Sequence, residues 1–241
     1  PFGAIEVVET ETAEQKIHSA TDQGRDEAEP LDETALPPSM RVAIRGVGGQ
    51  GNLFFGRVLA GVAERTPYAD THIVKGDTHG MAQLGGAVIS TFGCGQVHSP
   101  VFAPATADVL VAMEAGEVLR PDFMGLLKPG GIVLLNRFRA LPPGVTAGDY
   151  PEYEEIIQAL DGFHVIPLDA QGIAAEAGDS SGRSANVVAL GLLSTQPPFN
   201  LIPGDRWLTA LREMTADPRI RAVNAKAFSL GRKLGEGRGD Q

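Results

Sequence analysis

The chain has 241 residues, 43% of them hydrophobic and 21% charged, with a formal net charge of −10. That is enough apolar residue for one full-sized core and excludes a wholly disordered polymer, and no apolar run reaches the roughly 18 residues that cross a bilayer. A single cysteine, Cys94, excludes an internal disulfide and any iron–sulfur or thiolate zinc site built from this chain alone. With no secretory signal pattern, it points to a reducing, cytoplasmic setting.

The leading residues, Pro1-Phe2-Gly3-Ala4-Ile5, are similar to the stretch after the last cysteine of a bacterial-type ferredoxin motif, where Pro follows Cys. Two readings stay open: a remnant of an upstream ferredoxin-like domain over 1–5, or an arbitrary or processed end. Residues 6–40 are polar and acidic, with Asp26-Glu27-Ala28-Glu29-Pro30 followed by Pro37-Pro38. So few large apolar residues predict a flexible acidic linker. Residues 1–40 carry ten acidic and two basic residues, whereas 41–241 carry twenty and eighteen, so the folded body is nearly neutral. That balance argues against nucleic-acid binding, which needs a basic surface.

From residue 41 the pattern alternates. Short β-branched or apolar runs predict strands over 41–45, 71–74, 87–92, 109–112, 132–135 and 165–168. Helical spacing of Leu53, Phe54, Val58, Leu59 and Val62 predicts a helix after the first strand. Further helices are predicted over 117–127, 153–160, 185–193, 206–215 and 218–234, the last capped by Asp217 with Pro218 at its start. Strands alternating with helices predict an α/β fold over 41–241, a Rossmann-like, doubly wound and mostly parallel sheet with flanking helices.

The first strand runs into Gly46-Val47-Gly48-Gly49-Gln50-Gly51. Glycines at this spacing permit positive φ and clear the Cβ atoms that would block a ligand, and the helix start behind them attracts anions. The same glycines also fit a tight turn packed against a neighbouring subunit. A dinucleotide reading needs an acid about 20 residues on; Asp77 comes about six residues later than that, and Lys75 stands nearer the expected place.

Two motifs together carry a resemblance. Gly46-Val47-Gly48-Gly49-Gln50-Gly51, followed by His79-Gly80-Met81-Ala82-Gln83-Leu84-Gly85-Gly86, resembles the gamma component of 2-oxoacid:ferredoxin oxidoreductases. Within that family it looks most like the beta subunit of the indolepyruvate enzymes, and the likeness runs from about Val42 to Leu234, including Asn186-Val187-Val188-Ala189-Leu190-Gly191. The second motif departs from the usual pattern at Leu84, where the family has Arg, so a bidentate hold on a carboxylate or phosphate is lost there.

The resemblance implies a component of an enzyme that oxidatively decarboxylates a 2-oxoacid on thiamine diphosphate and passes electrons through [4Fe–4S] clusters to ferredoxin. The thiamine diphosphate and clusters then belong to partner subunits or domains. This chain, inactive alone, completes the assembly and is a candidate binder of CoA. The alternatives are an NAD(P)-dependent Rossmann dehydrogenase and a non-catalytic docking module. No membrane partner is expected.

His79 is the candidate catalytic residue, donating to a substrate carboxylate or a CoA phosphate, or else bonding its own loop. Gly46, Gly48, Gly49, Gln50, Gly51, Gln83 and Arg183 are the candidate cofactor-binding residues. Arg183 precedes a helix, so a cation and helix-start N–H groups meet there; the competing reading has Ser184 simply capping that helix. Asp77, Asp108 and Glu114 match no metal-ligand spacing. His98 and His164 are read as isolated structural residues, and Cys94 as a small buried hydrophobe.

Overall fold

The computed structural model describes residues 29–79, 86–141 and 144–237. The expected ferredoxin-like remnant over 1–5 and most of the expected linker lie outside the described residues. The chain divides into Pro1–Pro30 and Leu31–Gln241, and only the second is described below.

Strand β1 (Ser39–Val47) sits near the middle of a six-stranded sheet because both its faces are apolar: Val42 and Ile44 face one helical layer and Ala43 the other. Helix α1 (Asn52–Ala63) follows, then β2 (His72–His79) and β3 (Ala87–Gly95). Next come β4 (Ala107–Ala112), α2 (Pro121–Met124), β5 (Leu127–Asn136), α3 (Tyr153–Ala159) and β6 (His164–Leu168). Four helices close the chain: α4 (Ala170–Ala177), α5 (Ala185–Leu193), α6 (Gly204–Glu213) and α7 (Pro218–Glu236).

The strand order is β2-β3-β1-β4-β5-β6. β1, β4, β5 and β6 run parallel, and only β3 opposes its neighbours. The chain thus moves to one side of β1 and then to the other. In open α/β sheets the crevice beyond the carboxyl ends of strands at such a switch point is where ligands bind. The expected fold is therefore present, with every predicted strand in place.

Helices α1 and α4–α7 cover one face; α2, α3 and a 3-10 turn at Ala115–Leu119 cover the other. All nine residues of α5 are buried. Gly191 and Gly231 let α5 and α7 touch backbone to backbone: a Cβ on Gly191 would meet the Phe228 carbonyl, and one on Gly231 the Val188 carbonyl. Trp207 of α6 is fully buried between Phe199 and Phe228, with ring centroids 6.4 and 6.2 Å away. Burial of a side chain this large stabilises the fold by about 3 kcal/mol.

Two helix expectations need correction. The helix expected over 117–127 is instead the 3-10 turn and the four-residue α2. Arg120 is extended (φ −69°, ψ 120°) because it precedes Pro121, which also lacks an N–H to continue the ladder. Helix α4 was not foreseen: its Ala-rich sequence carries little apolar periodicity, and it is fixed by Asp169, which accepts from Gly172 N, and by Gly178 at φ 107°. Among the described residues no helix is long and apolar enough to cross a membrane.

Candidate functional site

The glycine turn lies at the carboxyl end of β1, on the switch point. Its glycines serve different ends. Gly46 leaves room for the Gln50 side chain, since a Cβ there would strike Gln50 Oε1. Gly49 (φ 94°) and Gly51 (φ 77°) adopt the left-handed region, and among the described residues a Cβ on Gly49 would meet nothing within 4 Å. Gly51 begins α1 with no side-chain cap, so the first N–H groups of that helix take no acceptor from the cap residue.

Gln50 is engaged within the chain. Its Oε1 accepts from Val47 N at 2.8 Å and its Nε2 donates to Met113 O at 2.9 Å. Asn136, buried at the end of β5, donates to the same Met113 carbonyl at 2.9 Å and to Gln171 Oε1 at 3.0 Å, and accepts from Ala170 N at 3.0 Å. The turn is thereby fastened to the ends of β4 and β5.

The second motif adjoins the first. His79 closes β2 opposite Val88, and Ala87 of β3 pairs with Val47. Gly48 N donates to Gly86 O at 3.2 Å. Gln83, with the rest of 80–85 including Leu84, lies outside the described residues. Asp77 is bound within the sheet, ion-paired with Lys75 and accepting from Ser90 Oγ at 2.7 Å. It therefore holds its own hairpin rather than standing ready for a ribose.

Arg183 joins the same region from the loop before α5. Asp179 organises that loop: its carboxylate accepts from Ser181 N at 3.0 Å, Ser184 N at 2.7 Å and both serine hydroxyls. Burial pushes the Asp179 carboxyl up, but the hydrogen bonds from Ser181 and Ser184 outweigh it and hold it down at about 2. Ser184 does stand at the N-cap of α5, yet its hydroxyl serves Asp179 and makes no cap hydrogen bond. The Arg183 side chain is exposed and takes no hydrogen-bond or ion-pair partner among the described residues.

Two clefts share the walls Gly49, Ser181 and Arg183. The smaller, about 280 Å³, is lined also by Gly48, Gln50, Phe138 and Gln171. The larger, about 560 Å³, reaches Phe54, Asn186, Arg219, Ile220 and Val223. Asn186 is 5% exposed; its Nδ2 donates to Gly51 O at 3.2 Å, while its Oδ1 is buried with no partner among the described residues. The arrangement offers a cation, a helix start and a bare-backbone turn beside an apolar wall and a waiting acceptor. That suits a ligand with anionic groups, an apolar stretch and an N–H donor.

Sequence reasoning missed Asp179, Phe138 and Gln171. The first had a local signal, an Asp two residues before a Ser that it accepts from; the other two are contributed by distant chain segments. Cys94 is buried, and burial pushes its thiol up to about 12, so it behaves as the expected small hydrophobe. His98 is not isolated as expected: its ring meets that of His72. Among the described residues no group of three or more His, Cys, Asp or Glu is arranged to hold a metal ion.

Comparison with known proteins now decides the family. The model of the pyruvate ferredoxin/flavodoxin oxidoreductase family matches residues 41–234. The chain belongs to this family. An indolepyruvate oxidoreductase subunit of Archaeoglobus fulgidus is 37% identical over 198 residues, covering 80% of this chain and 93% of the relative. The corresponding subunit of Thermococcus kodakarensis is 33% identical, covering 80% and 94%. The fold matches that of the pyruvate oxidoreductase subunit PORC of Thermotoga maritima (TM-score 0.61, 20% identity, 82% of this chain and 97% of that one). It also matches part of the 2-oxoglutarate:ferredoxin oxidoreductase of Magnetococcus marinus, solved with 2-oxoglutarate, coenzyme A and succinyl-CoA bound (TM-score 0.60, 20% identity, 83% of this chain and 32% of that one). Family membership makes the chain a component of an oxoacid:ferredoxin oxidoreductase, and the free-standing dehydrogenase and docking-module readings are not favoured.

Proposed function

We propose that this chain is the CoA-holding component of an indolepyruvate-type oxidoreductase. The reaction converts a 2-oxoacid anion, CoA and two oxidised ferredoxins to an acyl-CoA, CO2, two reduced ferredoxins and one proton. Thiamine diphosphate and [4Fe–4S] clusters on partner subunits or domains supply the carbanion and electron-transfer chemistry. This chain binds and orients. The observation that carries the reading is the meeting of the glycine turn and the unpartnered Arg183 between two clefts.

A CoA phosphate fits the N–H groups at the start of α1 and the Arg183 guanidinium. The larger cleft suits the pantetheine arm, with its apolar Phe54, Ile220 and Val223 wall and with Asn186 Oδ1 as acceptor for an amide N–H. His79, at the end of β2, opens the second motif in sequence and is the proposed catalytic residue. The indolepyruvate preference rests on the relatives. The partners are the thiamine-bearing subunit, and a ferredoxin or ferredoxin-like domain, in the cytoplasm.

Hydrogen exchange on the chain co-purified with its thiamine-bearing partner tests this. Adding CoA is expected to slow exchange over 46–51 and 181–187, while the chain alone oxidises no 2-oxoacid. Unchanged exchange at both segments, or micromolar NADH binding by fluorescence titration, overturns it.

A further inference from the structure

A second site stands at the other end of the sheet. His72 opens β2 and is paired in register with Gly95, the last residue of β3; His98 follows three residues later. The sheet therefore fixes both backbones beside one another. The two imidazole rings meet edge to face, with centroids 4.3 Å apart and planes at 74°. Both residues are exposed, and neither has a hydrogen-bond or ion-pair partner among the described residues. Core burial does not hold these rings together, and no carboxylate neutralises them.

We infer that His72 and His98 form a two-histidine chelate for a divalent late transition metal, Ni²⁺ or Cu²⁺. Neutral imidazole is the commonest protein metal ligand. Two imidazoles each bound at about 2.1 Å to one ion place their ring centroids about 4.6 Å apart for a right-angle pair and about 5.3 Å apart for a tetrahedral one. The observed 4.3 Å lies within a few tenths of an ångström of the right-angle case and about 1 Å short of the tetrahedral one. Right-angle nitrogen pairs suit the tetragonal and square-planar geometries of Cu²⁺ and Ni²⁺.

The rings sit on a recess of about 510 Å³ whose walls include Glu33 and Asp70. No third side chain among the described residues completes a ligand set. Water fills the remaining positions, and the two carboxylates raise the local cation concentration without entering the first shell. The recess shares no lining residue with the glycine-turn clefts, so this site is separate from the proposed CoA site.

The test is a Ni²⁺ titration of the whole chain by calorimetry, paired with electron paramagnetic resonance of the Cu²⁺-loaded protein. One ion per chain and two equatorial nitrogens are expected. H72Q and H98Q should each weaken binding on the order of a hundredfold, the loss of one arm of a chelate. H164Q, at the opposite edge strand, should bind like the parent. Both imidazoles are exposed, so the variants keep the fold, and circular dichroism checks it. Unchanged affinity in H72Q and H98Q, or a spectrum with a single equatorial nitrogen, overturns the site.

Discussion

Glycines do two different jobs in this molecule, at the crossing of α5 with α7 and at the turn after β1. At the helix crossing, Gly191 and Gly231 are required by what lies opposite: a rigid backbone carbonyl that cannot move aside. At the turn, Gly49 faces open space among the described residues, and its φ of 94° marks it. A glycine facing backbone reports on packing, and a left-handed glycine facing open space reports on the turn it makes. Composition alone does not separate them, because both lie in or beside helices.

The sharpest way to break this contrast is G231A. Its new methyl would run into the Val188 carbonyl, so α7 must lift from α5, and a loss of more than about 3 kcal/mol is expected by urea unfolding. A loss below about 1 kcal/mol would mean that the two helices are not locked together. G51A comes next, at about 1–2 kcal/mol, from the left-handed φ of 77° and from displacing the Asn186 amide, which as a side chain can yield. If G51A costs as much as G231A, the distinction between a glycine facing fixed backbone and one facing a side chain that can yield fails.

D179N is smaller, about 1 kcal/mol, since an amide NH2 would oppose the Ser184 donors where a carboxylate oxygen accepts. The accompanying pH effect has a definite sign. Asp179 is held from the ordinary 3.8 down to about 2, so its stabilising contribution is complete above about pH 4 and fades as pH falls toward 2. Parent and D179N stability curves should therefore converge in that acid window; curves that stay parallel down to pH 2 would remove Asp179 as the organiser of its loop. R183A should change stability least, within about 0.5 kcal/mol, because the side chain is exposed and unpartnered. Its effect belongs to ligand binding: CoA affinity in the assembled enzyme should fall by about tenfold. Unaltered CoA affinity would leave the turn's openness without its proposed occupant.

Much of this was legible in the residues. The continuous apolar runs at 109–112 and 132–135 announce strands covered on both faces, and they are. Spacing failed where local chemistry interrupted it: Leu119 and Phe123 suit a helix, but Pro121 between them breaks the hydrogen-bond ladder. The turn was visible because glycine carries its own conformational signature. The role of Gln50 was not, for a glutamine amide is equally suited to a ligand, a neighbour or its own backbone until Val47 and Met113 are placed beside it. Arg183 was visible as a lone cation before a helix; that it shares walls with Gly49 requires knowing that α5 returns to the switch point.

The Met113 carbonyl deserves a final consequence. One backbone oxygen receives both the Gln50 and the Asn136 amides. Because the acceptor belongs to the main chain, replacing the side chain at 113 leaves this junction standing. Its vulnerability lies entirely with the two donors. Q50L and N136L each cut one tether from the same knot, so their effects on the turn should overlap rather than add. A double-mutant cycle would read that overlap directly as the coupling between β1 and β5 through a single shared atom.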